Sequence, residues 1–275
     1  MRRESVTIGR KTISYLSVAP DGPALRQRPY RTAVFLHAFP LQAAMWEGTL
    51  ASAPDGWRAI APDLRGFGET SLPASDQHRM TEFAGDAIDL LDRLQITRAA
   101  VIGCSMGGYV LFEMLKSAPN YLGAIGLVST RPGADSEEGR SNRKNMLESI
   151  DSGGVETVAA QMTPKLLGAT TQRERPDLPP QVRNLILANT SEGVRAGVRA
   201  MMDRADSTSM LDRVDVPAIV VHGAEDTLIP PSEAEGMHRR IPNARLEILP
   251  QCGHLPNLEQ PAAFSRILWE FLEKL

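Results

Sequence analysis

The sequence predicts an α/β fold: a mostly parallel central sheet that opens with an antiparallel hairpin, carries helices on both faces and is interrupted by a helical cap insertion. Three observations lead there. Short, nearly continuous apolar runs recur along the chain, as strands buried on both faces require. Helix-period stretches lie between most of them, the pattern of a parallel sheet covered on both sides. That alternation then stops between residues 131 and 213, where no strand-like run occurs.

Residues 6–8 and 11–18 alternate polar and apolar side chains around Gly9-Arg10, which reads as a hairpin with a tight turn. Residues 19–31, rich in Pro and Arg, read as an exposed loop. Apolar runs at 33–36, 58–61, 99–102, 125–128 and 218–221 are the expected buried strands, with helices at 43–52, 80–94 and 106–118. Within the insertion, helical segments are expected at 136–152, 155–167 and 181–205, separated by Gly153-Gly154 and by the proline-bearing stretch 176–180. From residue 214 strand, helix, strand and helix resume. Phe264, Ile267, Leu268, Phe271 and Leu272 keep the spacing that docks one face of a terminal helix on the sheet. The expected division is a core domain of residues 1–130 and 214–275 around a cap of residues 131–213.

A chain of 275 residues that is 42% hydrophobic can build a sizeable core. Its net charge of −3 supplies no strong field to recruit nucleic acid or an anionic membrane, so neither partner is expected. Cys104 and Cys252 make neither a disulfide framework nor a CxxC pair. Residues 1–7 are basic but run into no apolar h-region, and no apolar run reaches the roughly 18 residues that span a bilayer. The expectation is a cytoplasmic protein whose function resides in a site.

That site announces itself at residues 99–111. A buried strand runs into Gly103-Cys104-Ser105-Met106-Gly107 and then into an apolar helix, a context far more specific than the Gly-x-Ser-x-Gly pattern alone. The turn must lift the serine oxygen above the sheet, and a side chain at 103 or 107 would collide with the adjoining strand or helix. Ser105 would sit at a helix N-terminus, where the Met106 amide can donate to an oxyanion.

Here the chain resembles the α/β-hydrolase family, from about residue 32 to its C-terminus, with the insertion where that family carries its cap. Two further motifs follow in the family's order of serine, acid and histidine. Gly223-Ala224-Glu225-Asp226-Thr227-Leu228-Ile229-Pro230 looks like the acid loop, with Asp226 in the acid position, and Leu249-Pro250-Gln251-Cys252-Gly253-His254-Leu255-Pro256 is similar to the histidine loop. The resemblance implies a triad of Ser105, His254 and Asp226. A serine hydroxyl is a poor nucleophile at neutral pH, so a histidine must take its proton while a carboxylate holds the ring in the right tautomer. Asp135 stands where some members carry the acid instead, and Asp226 is preferred because it aligns with the loop pattern. Glu225 is expected to point to solvent. His37-Ala38-Phe39-Pro40 resembles the family's His-Gly-x-Pro with Ala38 in place of glycine, which implies the Phe39 amide as second oxyanion donor and His37 as a structural residue. Gly66 and Gly68, in a segment similar to the family's loop after the next strand, are expected to be structural.

Substrate-pocket candidates are Phe39, Arg131, Met146, Met162, Met201 and Met202. Methionine suits adaptable binding surfaces but also ordinary helix core. Arg131 directly follows a strand; it would meet a substrate carboxylate in an enol-lactonase, or else be an ordinary salt-bridged arginine. Cys104 and Cys252 read as small buried fillers, and His78, His222 and His238 stand too far apart to suggest a metal site. The expected function is hydrolysis of a small or medium carboxylic ester or lactone through an acyl-Ser105 intermediate, with no metal or organic cofactor and a small-molecule ester or lactone as the substrate. Alternatives on the same fold are a carbon–carbon bond hydrolase, a cofactor-free perhydrolase and a hydrolase-like receptor. The sequence leaves the oligomeric state open.

Overall fold

A computed structural model describes residues 1–19, 31–74 and 78–275, so the loop expected at 19–31 falls almost wholly outside the described residues. The chain opens with β1 (Arg2–Ile8) and β2 (Lys11–Val18), paired antiparallel with Val6 opposite Ile13. Gly9 takes φ 61 in the turn between them, a conformation that costs glycine little. The charged, exposed β1 ends the sheet, which blunts an otherwise open edge. β3 (Arg31–Leu36), β4 (Trp57–Pro62), β5 (Ala99–Cys104), β6 (Leu122–Val128), β7 (Ala218–Gly223) and β8 (Arg245–Leu249) complete eight strands in the order β1-β2-β4-β3-β5-β6-β7-β8. All pairs from β4 onward are parallel. The continuous apolar runs are central strands, and Phe35, Leu36, Val101, Ile102, Leu127, Val220 and Val221 are fully buried.

Outside the insertion the helices are α1 (Glu47–Ala51), preceded by a 3₁₀ turn, α2 (Met80–Arg93), α3 (Met106–Ser117), α8 (Pro231–Arg240), α9 (Pro256–Glu259) and α10 (Pro261–Glu273). α10 docks as its spacing predicts: Phe264, Leu268 and Leu272 are buried, and Trp46, Phe264, Phe35 and Trp269 form an aromatic cluster with ring centroids 5.2–5.9 Å apart. Each such side chain contributes about 1.5–3 kcal/mol by leaving water.

Between β6 and β7 lie α4 (Glu137–Met162), α5 (Ala169–Glu174), α6 (Leu178–Leu187) and α7 (Ser191–Met202). α4 bends at Gly154, where φ is 62. Two expectations are corrected. The break at 176–180 is shorter than expected: residues 175–177 separate α5 from α6, while Pro179 and Pro180 occupy the first turn of α6, where a missing N–H costs nothing. Residues 181–205 are not one helix: Thr190 caps a new one, its hydroxyl accepting from the Gly193 amide at 3.1 Å.

α7 lies directly on the loop after β4. A Cβ on Gly193 would overlap the Gly66 carbonyl oxygen, and one on Gly197 would press on the Phe67 ring, so two glycines a turn apart permit the approach. Gly66 and Gly68 both adopt positive φ, and a Cβ on Gly68 would strike the Asp63 carboxylate. Among the described residues no helix is long and apolar enough to cross a membrane.

Candidate active site

β5 ends at Cys104 and α3 begins at Met106, so Ser105 makes the turn alone, with φ 51 and ψ −110. Such strain persists only where the surroundings over-determine the backbone. Here the Ser105 amide donates to Val128 O at 2.8 Å, and its carbonyl accepts from the Thr130 hydroxyl at 2.8 Å and the Gly108 amide at 2.9 Å. The neighbouring glycines make room. A Cβ on Gly103 would overlap the Gly107 carbonyl, one on Gly107 the Leu36 carbonyl, and one on Gly108 the Thr130 hydroxyl. Met106, first in its helix, has no intrahelical acceptor for its N–H and sits at the positive end of the helix dipole.

The loops after β7 and β8 leave the sheet on the same side. His254 Nδ1 donates to Asp226 Oδ2 at 2.7 Å, and both side chains are buried. With that proton on Nδ1, Nε2 of the neutral ring is an acceptor. The other Asp226 oxygen accepts from the amides of Leu228 (2.9 Å) and Ile229 (3.1 Å), a turn built by the carboxylate itself. Burial opposes the Asp226 charge, but His254 and His222 outweigh it and hold the carboxyl well below the usual carboxylate range. His222 is therefore not an isolated histidine: its Nε2 donates to Ile229 O at 2.8 Å and lies 3.2 Å from Asp226 Oδ2. Position 222, four residues before the acid at a strand end, was the available signal.

Asp135 does not meet His254. Its buried carboxylate pairs with Arg131 (2.9 Å), Arg143 (3.1 Å) and Arg204 (2.6 Å), and the Arg204 guanidinium stacks on the Tyr109 ring at 4.0 Å. Burial works against the Asp135 charge; Arg143 and Arg204 more than compensate and lower it.

His37 is fixed from both sides, Nδ1 donating to Ala38 O at 3.0 Å and Nε2 accepting from the Leu64 amide at 2.9 Å. That arrangement needs a neutral ring, and burial lowers its pKa to about 4. Ala38 is not at positive φ, so the methyl that replaces the family's glycine costs no backbone strain. Phe39 is buried with its ring edge-on to Phe67, 6.2 Å between centroids. The next bond, Phe39-Pro40, is cis.

Three residues tie the insertion to these loops, and the sequence singled out neither Asn189 nor Glu259. Asn189 accepts from the Gly68 amide at 2.8 Å and donates to Pro40 O at 2.9 Å, bridging two core loops. Glu259 is a buried carboxylate that accepts from the amides on both sides of His254, Gly253 (2.9 Å) and Leu255 (3.0 Å), and from the Gly168 amide (2.9 Å) and the Thr171 hydroxyl (2.7 Å). Glu225, expected to face solvent, instead accepts from the Thr170 amide (2.8 Å) and hydroxyl (2.6 Å). The correction has a simple cause: the start of α5 presents free donors, and both acidic side chains cover them.

Cys104 and Cys252 are buried, and burial pushes both thiols up, so neither is a thiolate. Of the candidate pocket residues, Arg131, Met146 and Met162 line one cavity of about 430 Å³, together with Leu228 of the acid loop. Met201 is packed in the core, and Met202 is half-buried at the end of α7. Among the described residues no three His, Cys, Asp or Glu side chains are grouped to hold a metal ion.

A family model for the α/β hydrolase fold matches residues 33–261. A putative 2-succinyl-6-hydroxy-2,4-cyclohexadiene-1-carboxylate synthase of Bacillus subtilis is 28% identical, over 94% of this chain and 95% of its own length. A pimeloyl-[acyl-carrier protein] methyl ester esterase of Nitrosomonas europaea is also 28% identical, over 84% of this chain and 91% of its own. Among solved structures, a thermophilic esterase from Thermogutta terrifontis with malate bound superposes with a TM-score of 0.90 at 31% identity, covering 100% of this chain and 99% of the esterase.

Proposed function

Since this chain belongs to the α/β-hydrolase fold family, we propose that it cleaves a small or medium carboxylic ester or lactone through an acyl-Ser105 intermediate. The observation that carries this reading is the strained Ser105 turn on the same side of the sheet as a His254–Asp226 pair closed at 2.7 Å. Relatives bearing the names esterase and methyl ester esterase support it.

In this reading His254 Nε2 takes the hydroxyl proton as Ser105 Oγ attacks the carbonyl carbon. Asp226 keeps the ring oriented and stabilises the imidazolium. The amides of Met106 and Phe39 receive the negative charge that develops on the carbonyl oxygen. His254 then protonates the departing alcohol and activates a water that releases the acid. No step calls on a metal or an organic cofactor. The helices of residues 131–213 leave and rejoin the sheet beside the site and act as a cap, with Arg131, Met146 and Met162 lining the pocket, whereas Phe39 is not part of that lining. Roofing of this kind excludes water and limits substrate size.

The test is labelling by a fluorophosphonate and turnover of a panel of esters and lactones, with Ser105→Ala as the control. The expected result is covalent modification of Ser105 and a loss on the order of 10⁴-fold in the variant. Retention of more than a tenth of the activity rules out Ser105 as nucleophile.

A further inference from the structure

The cavity of about 430 Å³ between α4 and the core has an unbalanced charge. Arg131 and Arg143 both line it, each paired with a different oxygen of Asp135, and Lys165 adds a third cation to its lining, against the single carboxylate of Asp135. Asp135 is not free to neutralise them, because it is already shared with the buried guanidinium of Arg204 at 2.6 Å. Glu233 of α8 acts on Arg131 only through space. Three guanidiniums around one carboxylate leave excess positive charge in a partly desolvated hollow, an arrangement that favours an anion. A second observation points the same way. Arg131 Nε is buried and has no hydrogen-bond acceptor, although nearly all buried donors have one.

The cavity also touches the catalytic loops. Arg131 follows Thr130, whose hydroxyl holds the Ser105 carbonyl, and Leu228 lies two residues beyond Asp226. Met146, Met162 and Leu228 give it an apolar wall beside the cationic one. We infer that this cavity is a carboxylate subsite built on Arg131 and Arg143, so that the ester or lactone cleaved at Ser105 carries a free carboxylate across a short apolar spacer. Asp135 is then the strut that fixes the two guanidiniums at the cavity lining. A planar guanidinium edge matches a carboxylate in geometry as well as charge. The inference rests on the acyl-serine reading for its substrate, but binding at the subsite is measurable without turnover.

The experiment compares two p-nitrophenyl esters of equal acyl length, the anionic hemiglutarate and the neutral pentanoate, in the wild type, Arg131→Gln and Arg143→Gln. The wild type is expected to favour the anionic ester in kcat/KM by about tenfold or more, and each substitution to cut that ratio by about tenfold, mainly through KM. Glutarate should inhibit pentanoate hydrolysis competitively, with Ki rising by a similar factor in both variants, so that misfolding of either one leaves the other as the test. Raising NaCl to 0.5 M should shrink the ratio severalfold. Equal or better use of the neutral ester by the wild type, or a ratio unmoved by both substitutions, overturns the subsite. If a fluorophosphonate fails to label Ser105 and neither ester turns over, the acyl-serine reading has failed instead. Calorimetric titration with glutarate then decides the subsite alone: heat abolished by Arg143→Gln keeps it, and no heat removes it.

Discussion

Glu259 accepts from four donors, two of them the amides that flank His254. Glu259→Gln would set an NH₂ group against amides that already donate, leaving buried groups unpaired at about 1–3 kcal/mol each. We expect kcat to fall by about 10- to 100-fold with KM changed far less, while the far-ultraviolet circular dichroism remains that of a folded chain; an unchanged kcat would free the histidine loop from this carboxylate. The two aspartates should separate along different axes. Asp226→Asn leaves the packing intact but spoils the His254 tautomer, and kcat should drop by about 10⁴-fold. Asp135→Asn strands Arg204 without its charge partner in the interior, so its first effect is on stability, about 3–5 kcal/mol by denaturant titration. The reverse ranking would move the acid to the end of β6.

At the scale of elements, the join between α7 and the loop after β4 is the sharpest test of how the insertion sits. Gly193→Ala drives a methyl into the Gly66 carbonyl. Overpacking there should cost about 1–3 kcal/mol, or roughly 3–10 °C in Tm. A Tm within 1 °C of wild type would mean that α7 does not bear on that loop. These elements were unequally legible in the sequence. The elbow could be read because its partners are local: Gly103, Gly107 and Ser105 sit within five positions, and the collisions follow from the chain's own turn. The bridges made by Asn189, Glu225 and Glu259 between insertion and core could not, since the partners on the far side lie between about 55 and 150 positions away and the spacing of a loop residue says nothing about what it meets. The break at Asn189-Thr190 did carry a local signal, a threonine ahead of Ser191-Glu192. The apolar periodicity on either side hid it.

For the whole molecule, acid is the condition to examine. His37 is neutral in the fold with a pKa of about 4 against an ordinary 6.5, so between those values the unfolded chain binds a proton that the folded one refuses. Stability contributed here is intact above pH 6.5 and falls as pH drops towards 4, by up to about 3 kcal/mol. Asp226, held low, adds its own loss only below the ordinary carboxylate range, as pH falls towards its depressed value. Urea midpoints taken from pH 7 to pH 4 should therefore decline, and His37→Asn should flatten the slope above pH 4; an equal slope in both proteins would place the proton uptake elsewhere.

The position of the insertion between β6 and β7 also sets an order of events during synthesis. Ser105 leaves the ribosome about 150 residues before His254, which at 5–20 residues per second is roughly 7–30 s. Throughout that interval a nascent chain holds the nucleophile without its base, so it should be silent towards ester whatever else has folded. β6 is meanwhile the open side of a growing parallel sheet, its apolar Leu122–Val128 run waiting about 90 residues for β7 to pair with it. The same helices that roof the finished site thus prolong the exposure of the strand most prone to pair with a neighbouring chain.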